Sequence, residues 1–265
     1  MNYYNEHDPK AAAWLRALIA AGEIPAGVVD ERSIIEIKAI ELTEYVQCHF
    51  FAGIGGWSLA LKLAGWPATR KVWTGSCPCQ PFSAAGRGMG EADERHLWPV
   101  FRNLIGKCRP AIVFGEQVAS NAGLVWLDGV CVDMEAAGYA FGAADLCAAS
   151  VGAPHVRQRL YWTAYTASNG CQRIQSGARA QISKDRTSQT LGSWNATGSP
   201  FQNWKVLMAQ SHVGRVDDGV SSGVDIRPRL RAYGNAIVPQ LAARFIEACD
   251  YSANGESSDS AGGGK

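Results

Sequence analysis

The segment HFFAGIGGW most constrains what this chain can fold into. It runs from a strand-like apolar stretch into a helix-forming one through Gly53, Gly55 and Gly56. Glycines at such a junction let the backbone take conformations that side chains oppose. They also bring the free N–H groups of a helix start close to a ligand. The same strand-then-helix rhythm continues along the chain. YVQCHFF, KVWTGS, AIVFGE, YAFGAADLCAA and RQRLYWTAY have the apolar, β-rich texture of strands. PKAAAWLRALIAA, WSLALKLAG, HLWPVFRNLIGKC, GLVWLDGVCVDMEAAG and VPQLAARFIEA have helical patterning, with Pro9 in a first turn and Gly22, Gly65 and Pro67 as stops. Strands alternating with helices predict an α/β fold built on a mostly parallel sheet.

Composition narrows the class. The 265 residues are 47% hydrophobic and 18% charged, which suits one large domain or one domain plus a small one. No apolar run approaches the roughly 18 residues that span a bilayer, and MNYYNEHDPK lacks the layout of a signal peptide. The expectation is a cytoplasmic protein with no membrane association, and most of its eight cysteines are expected to be small buried hydrophobes. Only Cys77 and Cys79 lie close together, and no second Cys/His pair follows at ligand spacing, so no metal is expected. Charge is uneven. Residues 1–150 carry 12 basic and 16 acidic side chains, whereas residues 151–249 carry 12 and 5. The basic second half suits either a polyanion contact or a solvated face.

The segment TGSCPCQPFS carries the most specific chemistry. Cys79 lies between Pro78 and Gln80, with Pro81 next, so a stiff loop after a strand would present its thiol. A thiolate can add to an electron-poor ring carbon and leave again. A structural cysteine in a proline-rich turn is the alternative. The glycine turn lacks a Gly-Lys-Ser/Thr sequence, which disfavours a triphosphate.

Together these segments resemble the DNA (cytosine-5) methyltransferase family. FAGIGG followed by PCQPFS is similar to its first two signatures, and DERHLW (93–98) to the next. FGEQV (114–118) resembles the Glu-Asn-Val motif, with Gln117 in place of Asn. HVRQRLYW (155–162) resembles Gln-x-Arg-x-Arg, with His155 where Gln is usual. YGNAIVPQLA (233–242) resembles the closing Gly-Asn-x-Val-x-Pro segment. The resemblance runs in family order across residues 50–162 and 226–248, over half the chain.

The resemblance implies a Rossmann-like S-adenosylmethionine-dependent methyltransferase sheet with a small target-recognition insertion. It implies methyl transfer to carbon 5 of a cytosine flipped out of duplex DNA. Cys79 would be the covalent nucleophile, Glu116 the acid at ring nitrogen 3, and Arg157 and Arg159 fixed cationic donors. Phe51, Ala52, Gly53, Ile54, Gly55, Gly56, Pro78, Leu97 and Asn235 would line the cofactor, and Gln80, Ser83 and Arg87 would meet DNA. A monomer is expected, with a cognate restriction endonuclease as a possible partner. An RNA cytosine-5 methyltransferase and an inactive DNA-binding homologue are the rival readings.

One departure stands out. The family usually places two strand–helix units between the glycine turn and the Pro-Cys-Gln loop, one of them supplying an acid for the cofactor ribose. Here only WPATRKVW (66–73) intervenes. The N-terminal segment is expected to replace them, with Asp30 or Glu31 of GVVDERSI as the substitute acid. The expected divisions are an N-terminal segment 1–46, a catalytic core 47–165, a Ser/Gly/Arg-rich recognition region 166–224, a return to the core 225–250 and a disordered tail 251–265.

Overall fold

The computed structural model describes residues 1–78, 97–153, 157–166 and 236–254. Cys79, Gln80, Ser83, Arg87, His155 and Asn235 lie outside these residues, as does nearly all of the expected recognition region.

Seven strands form one sheet: β1 (Asn2–Asn5), β2 (Gly27–Asp30), β3 (Gln47–Phe50), β4 (Val72–Gly75), β5 (Ile112–Val118), β6 (Tyr139–Cys147) and β7 (Gln158–Thr166). Their order is β2-β1-β3-β4-β5-β7-β6. The first five run parallel, and β7 lies antiparallel to both β5 and β6. The helices are α1 (Pro9–Ala20), α2 (Gly56–Leu63), α3 (Trp98–Cys108), α4 (Asn121–Ala136) and α5 (Pro239–Asn254). Asp8 caps α1 by accepting from the N–H groups of Lys10 and Ala11, with Pro9 in the first turn as its sequence suggests.

The pleat sorts the sheet into two faces. Tyr4, His49, Thr74 and Phe114 form one cross-strand row, and Tyr3, Cys48, Trp73 and Val113 the row facing the other way. On the first face, Leu15 of α1, Trp57 and Leu61 of α2, and Leu241 and Phe245 of α5 bury the sheet. On the second, Phe101 and Leu104 of α3 and Trp126 and Val130 of α4 do so. Both faces are covered, which is why the central parallel strands read as unbroken apolar runs.

Residues 2–30 thus supply the two strands beyond β3. Strand β1 carries no sequence signal, because four residues bounded by asparagines are too short to show a period. It is held by burial: Asn2 and Asn5 are buried, and Asn2 Nδ2 donates to Gln47 Oε1 at 2.9 Å. The connection β1–α1–β2 steps towards one edge with its helix on the first face. The connection β4–α3–β5 steps towards the other edge with its helix on the second, which gives both the same hand. The connection β3–α2–β4 also steps towards the second edge, but α2 lies on the first face. It therefore has the opposite hand to both, in a class where about 98% are right-handed.

Inside the first face, His49 Nδ1 bonds Thr74 Oγ1 at 2.8 Å and its ring stacks on Tyr4 at 4.9 Å. Complete burial pushes its pKa down to about 3, so the folded protein keeps it neutral while the unfolded chain protonates near 6.5. That stability is present above pH 6.5 and is lost as pH falls towards 3. Denaturation of the wild type and of His49→Gln across pH 7 to 4 should show a slope difference approaching about 1.4 kcal/mol per pH unit. Parallel curves for the two proteins would contradict this assignment.

Candidate active site

The parallel strands end at one edge, and the chemistry gathers there. After β3 the chain turns sharply, with positive φ at Phe51 (51°), Gly53 (55°) and Gly55 (84°). A left-handed phenylalanine costs about 1–2 kcal/mol, a strain often found where a turn serves a ligand. The ring of Phe51 meets Phe101 edge-on at 6.0 Å. Ala52 N donates to Asn5 O at 3.0 Å, tying the turn to β1. Gly56 begins α2 under Ile237, where an added Cβ would lie 2.7 Å from Ile237 Cγ1. At Gly53 the same Cβ would meet nothing within 4 Å among the described residues, so the turn borders open space there.

Directly after β1, Glu6 closes on this turn. Its Oε2 accepts from Gly53 N at 2.6 Å and its Oε1 from Asp8 N at 2.9 Å. Asp30 does otherwise: it ends the edge strand β2, pairs with Arg32 at 2.7 Å and accepts from the Tyr3 hydroxyl at 2.8 Å. Glu31 pairs with Arg16 at 2.6 Å on the surface. The carboxylate at the glycine turn is therefore Glu6. Sequence reading passed over it because β1 itself was invisible.

Strand β4 ends at Gly75, and Ser76, Cys77 and Pro78 lead towards Cys79. Gln117 Nε2 donates to Cys77 O at 3.2 Å, fastening the start of that loop to β5. The neighbouring Glu116 points to the opposite face and is 6% exposed. Register pairs Glu116 with Tyr161, which sets Arg159 diagonally across on the same face. Arg159 Nε meets Glu116 Oε1 at 2.8 Å. Burial pushes the Glu116 carboxyl above the usual carboxylate range, against the pull of Arg159, Arg157 and a hydrogen bond from Ser76. The two arginines differ in task. Arg157 Nη2 donates to Ala236 O at 2.9 Å, joining the start of β7 to the segment before α5. Burial, with the nearby charge of Arg159, lowers the pKa of Arg157.

Two glycines fit this frame closely. A Cβ on Gly115 would lie 2.1 Å from the Trp162 indole, and one on Gly75 would lie 2.6 Å from Phe101. Leu97 caps the start of α3 and packs half-buried against the core. Of the residues singled out from sequence, Phe51 to Gly56, Pro78, Glu116, Arg157 and Arg159 are thus described in elements that end or begin at this edge. Leu97 stands at the head of α3.

A glycine turn after the central parallel strand, a buried strand-end acid and an antiparallel β7 in a seven-stranded sheet define a Rossmann-like methyltransferase fold. Residues 67–198 match the model of the C-5 cytosine-specific DNA methylase family, and the chain belongs to that family. It is similar to the Type II methyltransferase M.AplI of Arthrospira platensis, with 26% identity over 167 residues that cover 49% of this chain and 48% of the relative. The chain spans about half the length of that relative. Among solved structures it is similar to the S. pombe Dnmt2 methyltransferase, with 13% identity and a TM-score of 0.47 over 96% of this chain and 99% of that one. It is also similar to the Entamoeba histolytica methyltransferase EhMeth, with 13% identity and a TM-score of 0.38 over 62% and 52%.

Removing one partner of the Glu116–Arg159 pair leaves a buried charge unpaired. Arg159→Met should lower stability by about 3 kcal/mol, and adding Glu116→Leu should recover most of the loss. Urea denaturation of the three proteins reads this directly. A single variant as stable as the wild type would contradict the pairing.

Proposed function

We propose that the chain methylates carbon 5 of cytosine in duplex DNA, using S-adenosylmethionine and a covalent bond through Cys79. What carries this reading is Glu116. Burial raises the pKa of this carboxyl, and it lies on the strand that also fastens the backbone of Cys77, directly before the Pro-Cys-Gln turn. A carboxylic acid that can donate a proton beside a thiol is what addition to a pyrimidine ring demands.

The glycine turn fits the cofactor. It borders open space at Gly53, presents the N-terminus of α2 and has the Glu6 carboxylate beside it. Phe51 to Gly56 would hold the cofactor, with Glu6 as the acceptor for its ribose hydroxyls. Bound there, S-adenosylmethionine supplies an electrophilic methyl group. In the proposed chemistry the Cys79 thiolate bonds carbon 6 of the flipped base while Glu116 gives its proton to nitrogen 3. Carbon 5 thereby becomes the nucleophile. After methylation Glu116 recovers its proton from nitrogen 3, a water molecule takes the proton of carbon 5, and the carbon–sulfur bond breaks with its electron pair returning to Cys79 as thiolate. Arg159 keeps the acid in place throughout. Gln80, Ser83, Arg87 and the basic region 166–224 are the proposed contacts to DNA.

Two experiments test this proposal. Duplex DNA carrying 5-fluorocytosine should become covalently attached to the wild type in the presence of cofactor, and Cys79→Ser should abolish the adduct. An adduct on RNA alone, or none on either, would overturn the DNA reading. Separately, Glu6→Gln should weaken S-adenosylmethionine binding at least tenfold by calorimetry, a loss of about 1.4 kcal/mol or more. Unchanged affinity would remove Glu6 from the cofactor site.

A further inference from the structure

Trp57 is the second residue of α2, directly behind the glycine turn, and it is 3% exposed. Its ring lies 6.0 Å from Tyr161, edge to face, and 6.2 Å from Phe114, so its orientation is fixed by packing. Its Nε1 lies 3.0 Å from Ser76 Oγ. An indole nitrogen can only donate, so the serine oxygen must accept there. A hydroxyl has one proton, and that of Ser76 is therefore left for its other partner, the Glu116 carboxyl.

We infer that Trp57 and Ser76 are positioning residues of the active site, forming a directed hydrogen-bond relay from the helix behind the glycine turn to Glu116. The inference rests on the acid role proposed above for Glu116. Two donors then meet the carboxyl from within the protein, Ser76 from just after β4 and Arg159 from β7. Arg159 has no lone pair to accept with, and the bond from Trp57 turns the Ser76 proton towards the carboxyl, so the relay favours the ionised form of Glu116 and holds its side chain in place. Nothing in the sequence motifs marks Ser76 or Trp57 for such a task, since both fall beside signature residues rather than on them.

Among the described residues, the charged and titratable groups facing Glu116 are Arg159, Arg157 and Tyr161, all on or just before β7. Their contributions stay constant when Ser76 changes, which isolates the relay. Infrared difference spectra of cofactor-free protein, with Glu116→Gln identifying the band, follow protonation of this one carboxyl. Ser76→Ala should raise its midpoint by about one pH unit, because a donor to the ionised form is lost. Trp57→Phe should shift it in the same direction by less, and Ser76→Thr, which keeps the hydroxyl, should restore it. The pH profile of single-turnover methyl transfer should move with the spectroscopic midpoint. A folded Ser76→Ala protein with unchanged midpoint and band position would overturn the relay. Wild-type protein that transfers no methyl group would instead overturn the proposed reaction, and the spectra would still report on the relay.

Discussion

A carboxyl buried on a strand of an apolar sheet face governs the rest of this structure. Leaving a lone charge at such a site costs several kcal/mol, so Glu116 must be met by donors or be neutral. The surroundings of Glu116 do some of each. Arg159 and Ser76 favour ionisation and burial opposes it, with the net effect above the ordinary carboxylate range. This balance needs β7 beside β5 in one register. A slip of a single residue would turn Arg159 to the opposite face, where α3 and α4 pack. The antiparallel β7 is therefore what makes the acid of β5 tolerable. Gly115 follows from the same pairing, because Trp162 stands against it and excludes a side chain.

The N-terminal strands obey a second constraint. The chain between α2 and β4 is too short to form another strand beside the glycine turn. Strand β1 comes from the start of the chain and occupies the place beside β3, bringing Glu6 to Gly53. The cost of this order falls on the connection between β3 and β4. Helix α2 stays on the face where its N-terminus continues the glycine turn, even though the chain must then move to β4 with the disfavoured hand. Burial of Trp57, Leu61 and Gly56 against β5 and α5 holds α2 there. Packing behind the glycine turn has prevailed over the usual chirality of the connection.

Legibility in the sequence followed the physics of each signal. The glycine turn, α1 to α5 and the strands from β3 onwards were readable because each carries a long apolar run or a punctuating residue such as Pro9 or Gly65. Glu116, Arg157 and Arg159 were readable as motif members. Strand β1 was not, since four residues with buried asparagines imitate a polar terminus, and with β1 went Glu6. Asp30 or Glu31 was expected to be that acid because GVVDERSI has the form of a strand end. Asp30 does end a strand, but one position further from the glycine turn, where Arg32 and Tyr3 engage it, and Glu31 pairs with Arg16.

Ser76 and Trp57 show why a residue's task can be absent from any local pattern. Their pairing spans β4 and α2, elements joined by the odd-handed connection, and only packing brings the indole to the hydroxyl. If α2 had crossed on the other face, Trp57 would lie among the residues of α3 and α4, far from β5's acid-bearing face. The handedness of the connection and the hydrogen bonding of Glu116 are thus one structural fact. The helix that follows the glycine turn is placed where it can also steady the acid, and a change at either end of the Trp57–Ser76–Glu116 line must be felt at the other.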